Sequence, residues 1–268
     1  MDLKLRGKRA LVTGSTAGIG FATAQGLARE RAEVIVNGRT EQKVAEAVQR
    51  ISAEVDSPAI GIAADLSSAE GVAWLVAQAG RVDILVNNVG IFWPVPFLEI
   101  SDQDWFHIFE VNVMSGVRLS RELLPAMLKR NWGRIIFVSS ESGLQIPSEM
   151  VHYGVTKTAQ LALSRGIAET VAGTGVTVNS VLPGPTRSEG AVDFLGKVAA
   201  EHNTDIAAVE EEFIRTMRPT SLIRRFAESE EVANLSLRRR GHCEPMAAWC
   251  AASPEATRCL ALRKSKAP

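Results

Sequence analysis

Ala10-Leu11-Val12-Thr13-Gly14-Ser15-Thr16-Ala17-Gly18-Ile19-Gly20 joins a short apolar run to the start of a helical pattern, with three glycines at the junction. Glycines where a strand turns directly into a helix let the backbone come close to a ligand. The N–H groups at the helix start then favour a diphosphate. The spacing is G-x-x-x-G-x-G rather than the commoner G-x-G-x-x-G, and a glycine-rich turn with no ligand is the plainer alternative. On this reading Thr13, Gly14, Ser15, Thr16, Gly18, Ile19 and Gly20 form a candidate phosphate-binding loop.

The pattern continues outward from the loop as strand-length apolar runs alternating with amphipathic stretches, up to about residue 182. Strands are expected at 10–13, 34–37, 60–64, 84–87, 134–139 and 177–182. Helices are expected at 19–31, 41–55, 69–79, 102–130 (with breaks near Gly116 and Pro125) and 153–172. Such a βαβ rhythm predicts an α/β fold, a doubly wound parallel sheet of Rossmann-like form with helices on both faces and ligands at the carboxyl ends of the strands. Residues 184–227 break the rhythm with a polar, helical insertion that includes 205–217, placed where a lid or substrate wall belongs. Its run Glu210-Glu211-Glu212 reads as a solvated helix face.

The composition sets outer limits on function. The 268 residues and 46% hydrophobic content support a sizeable core, and thirty basic against thirty acidic residues give no general attraction to nucleic acid or anionic lipid. No apolar run reaches membrane-span length and the first residues lack a signal-peptide pattern, so the expectation is a cytoplasmic protein without nucleic-acid or membrane partners. The charge is uneven along the chain. From Arg238 onward seven basic and two acidic residues give +5, and the remainder carries −5. The three cysteines, Cys243, Cys250 and Cys259, all fall in that stretch; their odd count speaks against a disulfide framework, and with His242 they form no C-x-x-C pair, so no metal site is expected.

Tyr153 and Lys157 carry the chemistry most directly. Four residues apart on a helix, they share a face, so the ammonium can stand beside the phenol and favour its ionised form. Free tyrosine is about one part in a thousand phenolate at neutral pH. Ser140, thirteen residues earlier, can bring a hydroxyl to a substrate oxygen, or merely cap a turn after its strand.

Taken together, these motifs resemble the short-chain dehydrogenase/reductase family from about residue 5 to 190. The resemblance implies NAD(P) in the glycine loop, with support from Asn87-Asn88-Val89-Gly90, of which Asn88, Val89 and Gly90 meet the cofactor. It places Asp65, with Leu66, at the adenine, and Pro183, Gly184 and Thr186 at the nicotinamide end. It makes Asn112, Ser140, Tyr153 and Lys157 a catalytic tetrad in an enzyme interconverting a secondary alcohol and a carbonyl. Tyr153 is then general acid and base, Lys157 also holds the nicotinamide ribose, Ser140 binds the carbonyl oxygen, and Asn112 holds a water linking Lys157 to solvent. The stretch Val36-Asn37-Gly38-Arg39 has no acid to grip ribose hydroxyls, and Arg39 can pair with a 2′-phosphate, so NADP is favoured over NAD.

Phe92, Trp93, Trp105, Glu141, Ser142, Gln145, Ile146 and His152 are candidate substrate neighbours, with His152 read as pocket wall or plain surface because it points about 100° from Tyr153. A 3-oxoacyl-thioester reductase is the alternative enzyme, and a non-catalytic cofactor-binding protein the alternative from another class. The resemblance also implies a homodimer or homotetramer. Its pattern stops after Glu231-Val232-Ala233-Asn234: the single domain spans 1–235, and 236–268 is an atypical basic, cysteine-containing tail in which no seventh strand can be drawn. A changed reading frame, a divergent extension and a basic module each account for that tail; a missing strand exposes a sheet edge and weakens assembly.

Overall fold

The computed structural model describes residues 3–55 and 57–237. Six parallel strands stand in the order β3-β2-β1-β4-β5-β6, with β1 at Arg9–Val12, β2 at Glu33–Gly38, β3 at Ala59–Ala63, β4 at Ile84–Asn87, β5 at Gly133–Val138 and β6 at Val176–Val181. Their near-continuous apolar sequences match a sheet covered on both sides. Alternate residues feed two cores: Leu11, Ile35, Leu85 and Ile135 enter one, while Ala10, Val12, Val34, Val36 and Val86 enter the other. Helices α1 (Gly18–Arg29) and α2 (Glu41–Glu54) contribute Leu27 and Ile51 to the second core. Helices α3 (Ala69–Ala79), α5 (Ser115–Lys129) and α6 (Val151–Thr170) lie over the first.

Local chemistry sets the helix starts. Thr40, Ser68 and Ser101 accept backbone N–H groups at the heads of α2, α3 and α4 (Asp102–Phe109), and Ser101 forms a reciprocal box with Asp104. The long helical stretch is interrupted once, by a π-helical turn at Glu110–Met114 just ahead of Gly116. Pro125, expected as a second break, sits inside α5 without ending it. It is exposed there, so water can satisfy the carbonyl that loses its partner.

The predicted insertion is a compact excursion. Two short parallel strands, β7 (Thr186–Arg187) and β8 (Ala227–Glu228), bracket α7 (Glu189–Glu201) and α8 (Ile206–Met217) around Leu195, Ile214 and Phe226. Glu210 is not on a solvated face as the charge run suggested. It is buried at 7% exposure because Arg187 reaches it with two guanidinium nitrogens. Helix α9 (Ser229–Leu237) then returns to α1, where Gly26 leaves room for Leu237: a Cβ at Gly26 would lie 2.5 Å from the Leu237 Cδ1. The expectations for the tail beyond residue 237, including the missing strand, fall outside the described residues.

Candidate active site

The glycine loop sits at the carboxyl end of β1, where the chain runs outward in both directions across the sheet. Thr13 ties it to β4: its Oγ1 donates to the Val86 carbonyl and accepts from the N–H groups of Asn88 and Val89. Asn88 Nδ2 donates to the carbonyls of Thr13 and Gly14 at 2.9 and 3.0 Å. Asn37, which motif reading passed over, does the same from β2. Its Nδ2 donates to the Ile62 and Ala64 carbonyls and its Oδ1 accepts from Gly14 N. Ser15 is fully buried, its hydroxyl donating to Val12 and accepting from Asn37 N, so it shapes the loop from beneath. Gly14 and Gly18 adopt φ of 58° and 53°, conformations that strain any side chain. A Cβ on Gly20 would lie 2.4 Å from both Asn88 Nδ2 and the Gly14 oxygen. Helix α1 begins without a side-chain cap, which leaves its first N–H groups for a ligand.

Ser140 follows β5 and caps the 3-10 turn Glu141–Gly143 by accepting from Ser142 N at 3.1 Å. Helix α6 is bolted onto that turn: Ser139 Oγ donates to the Lys157 carbonyl at 2.9 Å, and Thr158 Oγ1 donates to Gly143 at 2.8 Å. The thirteen-residue gap thus closes so that the Ser140 hydroxyl stands near enough to the Tyr153 phenol to pull its pKa down. Lys157 Nζ lies 5.6 Å from the Tyr153 ring centre and donates to the Val138 carbonyl at 3.0 Å.

The expected lowering of the phenol by the ammonium is outweighed by burial. Burial pushes Tyr153 up to about 12; the Ser140 hydroxyl and the Arg218 guanidinium pull it down, and Glu141 pushes it further up. Burial likewise drives Lys157 down to about 7. Desolvation disfavours the charged form of both groups, so it moves an acid and a base in opposite directions.

Asn112 lies in the π turn, with its side chain clamped to Ile91 and Thr156: Oδ1 accepts from Ile91 N, and Nδ2 donates to Ile91 O and Thr156 Oγ1. Its carbonyl accepts from Gln160 Nε2 at 2.5 Å, and Gln160 Oε1 accepts from Lys157 Nζ at 3.3 Å. Neither Thr156 nor Gln160 was singled out in the sequence. Gln160 stands three residues after Lys157, a helical spacing that does signal a shared face.

One cavity of about 610 Å³ joins these parts. Gly18, Ile19, Gly20, Asn88, Gly90, Ser140, Tyr153, Lys157, Pro183, Gly184 and Thr186 line it, as do Phe92, Glu141 and Ser142. Thr13, Ser15 and Asn112 stand behind the wall, buried; Leu66 belongs to the core, and Val89 packs against it. Arg39 and Asp65 are exposed at the ends of β2 and β3, the Asp65 carboxyl held low chiefly by the Ser67 N–H, with Arg39 adding to it. Gly38 brings Thr16 close: a Cβ there would lie 2.5 Å from the Thr16 methyl.

The excursion supplies the opposite wall through Phe194, Leu195, Val198, Val209, Phe213, Met217, Arg218 and Phe226. Arg218 pairs with Glu141 across the cavity. His152 is neither pocket wall nor surface. It is fully buried between Trp93 and Trp105, with ring centres at 4.8 and 6.1 Å, and burial draws its basicity down against the Asp104 charge. Trp93 and Trp105 form that box rather than the cavity wall, Ile146 packs against Gly154, and Gln145 is exposed. Among the described residues no group of His, Cys, Asp or Glu is placed to hold a metal ion, and no helix is long and apolar enough to cross a membrane.

A six-stranded doubly wound sheet with a glycine loop at its switch point and a serine, tyrosine and lysine in the same cavity defines an oxidoreductase of the α/β class. The family model for short chain dehydrogenase matches residues 8–196, and the chain belongs to the short-chain dehydrogenase/reductase family. It is 46% identical over 235 residues to the uncharacterized oxidoreductase YvaG of Bacillus subtilis, covering 87% of this chain and 89% of that protein. It is 33% identical over 242 residues to the 3-oxoacyl-[acyl-carrier-protein] reductase FabG of Aquifex aeolicus, covering 88% and 91%. Among solved structures, L-sorbose reductase from Gluconobacter frateurii, complexed with NADPH and L-sorbose, superposes with a TM-score of 0.83 at 30% identity over 88% of this chain and 90% of that one.

Proposed function

We propose that the protein is an NADP(H)-dependent reductase that interconverts a carbonyl and a secondary alcohol. The observation that carries this reading is the single cavity running from the uncapped start of α1 to Ser140, Tyr153 and Lys157. A bound nicotinamide supplies the hydride. Gly18, Ile19 and Gly20 hold the diphosphate on a loop shaped by Thr13, Gly14, Ser15 and Thr16. Asp65 and Leu66 would border the adenine, and Asn88, Val89 and Gly90 with Pro183, Gly184 and Thr186 would flank the nicotinamide end. Arg39, exposed just past the end of β2, would pair with a 2′-phosphate; the neighbouring Asn37, whose amide donates to the Ile62 and Ala64 carbonyls, brings no carboxylate to oppose one.

Ser140 donates to the substrate oxygen and Tyr153 delivers the proton. Burial keeps the phenol protonated at neutral pH, the form that can deliver a proton to a carbonyl oxygen. Lys157, near 7, exchanges protons at working pH and restores the phenol. The FabG relatives support a narrower alternative, reduction of a 3-oxoacyl thioester, and the largely apolar excursion wall accommodates an acyl chain. The exposed Phe106 and Val155 on α4 and α6 support assembly as a homodimer or homotetramer. The test is a panel of ketones, ketoses and acetoacetyl thioesters assayed with NADPH and with NADH. Turnover of one class with NADPH preference is expected, and cofactor binding without turnover of any member would overturn the reading.

A further inference from the structure

The Asn112 carbonyl and the Lys157 ammonium are both buried, and the space between them is filled by one side chain, that of Gln160 at 2% exposure. The orientation of its amide follows from chemistry. A backbone carbonyl can only accept and an ammonium can only donate, so Nε2 must face Asn112 and Oε1 must face Lys157. The carbonyl is available because of the π turn. Ser115 N donates to Glu110 there and Ser115 Oγ to Val111, so the ladder is shifted and the next carbonyl is taken by a side chain from α6. Lys157 has three N–H bonds when charged. Val138 O and Gln160 Oε1 take two of them, which leaves one direction toward the cavity.

We propose that Gln160 is a positioning residue for Lys157: its carboxamide fixes the lysine nitrogen between β5 and the π turn. An amide neither gains nor loses a proton at working pH, so Gln160 orients Lys157 and does not itself relay a proton. Lys157 then exchanges protons through the cavity side. This rests on the reading of Tyr153 and Lys157 as the reacting pair. The ionisable groups of this corner are Tyr153 on the same helix and the Glu141–Arg218 pair, which act on the phenol; burial alone moves Lys157.

Three variants test it, each checked by thermal melting and NADPH binding and compared with Tyr153→Phe. Gln160→Met keeps the volume and removes both hydrogen bonds, and turnover should fall about tenfold. Gln160→Ser opens a small polar space in which a water can span Lys157 and Asn112, so turnover should stay within about threefold of the parent. A role in packing alone predicts the reverse order, because Met fills the site and Ser leaves a cavity. Gln160→Glu places a carboxylate beside the ammonium, so the limb on which reduction slows with rising pH should move up by about one unit or more.

Ser falling below Met, or a Glu variant with an unmoved limb, would overturn the proposal. Should the Met variant not fold, the Glu limb decides alone. Loss of the proposal with Tyr153→Phe still inactive leaves the proposed function standing; an active Tyr153→Phe removes both.

Discussion

On one side of the cavity, Ser140, Tyr153 and Lys157 stand on a strand end and a helix that Ser139 and Thr158 join, while Gln160 and Thr156 tie the helix to the π turn; of these four only Thr158 is exposed. On the other side, α7 and α8 hang from two strands of two residues each, held by Arg187 to Glu210 and Glu228 and by Arg218 to Glu141. The first wall is fixed by hydrogen bonds that have no competing partner in a dry interior. The second is fixed by charges, several of them in contact with water, around a small core. The proposed chemistry, which tolerates little displacement, belongs to the first, and the proposed substrate contacts, which can adapt, to the second.

Substitutions on the two walls should therefore read out differently. The largest effect is expected from Tyr153→Phe, which keeps the ring against Phe92 but removes the proposed proton donor; kcat should fall about a thousandfold with NADPH affinity nearly unchanged. Steady-state kinetics with fluorescence titration of the cofactor checks this, and a loss confined to KM would place Tyr153 in substrate binding only.

Arg218→Leu strikes a point where the walls touch. It leaves Glu141 uncompensated beside the phenol, so kcat/KM should fall about 10- to 100-fold. Adding Glu141→Gln should recover part of the loss, because the stranded charge goes with it; a double-variant cycle showing simple additivity would separate the two residues.

Lys157 offers a test confined to the buried wall. Its folded value of about 7 lies below the ordinary lysine range, so between pH 7 and 10 the unfolded chain holds a proton that the folded one has released. Stability should then rise with pH in that window, by about 1.4 kcal/mol per unit relative to Lys157→Met. Denaturant titrations at several pH values measure the difference, and parallel curves would mean that the amine stays charged in the fold. The smallest effect on turnover is expected from Arg187→Gln on the excursion: a change of about two- to threefold in KM and none in kcat, since neither Arg187 nor its partner Glu210 lines the cavity.

Much of the buried wall was legible in the sequence. Five of the six sheet strands fall within one residue of expectation at each end and β4 coincides with it, because strands covered on both faces are unbroken apolar runs between turn residues. The glycine loop and the Tyr-x-x-x-Lys spacing carried the site for a similar reason: their geometry is local. What escaped depends on partners distant in sequence. Glu210 looked solvated because Arg187 lies twenty-three residues away. His152 was correctly turned away from Tyr153, yet only the fold brings Trp93 and Trp105 around it. Strands β7 and β8 are too short to leave a pattern, and α7 was covered by the reading of a helical insertion but given no bounds of its own.

Leu195, Val209, Phe213 and Phe226 belong at once to the small core of the excursion and to the cavity wall. A molecule seated there occupies the place of a further layer of side chains, so the excursion's packing is completed by its guest. Resistance to proteolysis along 189–226 and the choice of substrate thereby become two measurements of one quantity, the apolar surface that the guest removes from water. A substrate series of increasing chain length should protect that segment in the same order in which it is turned over.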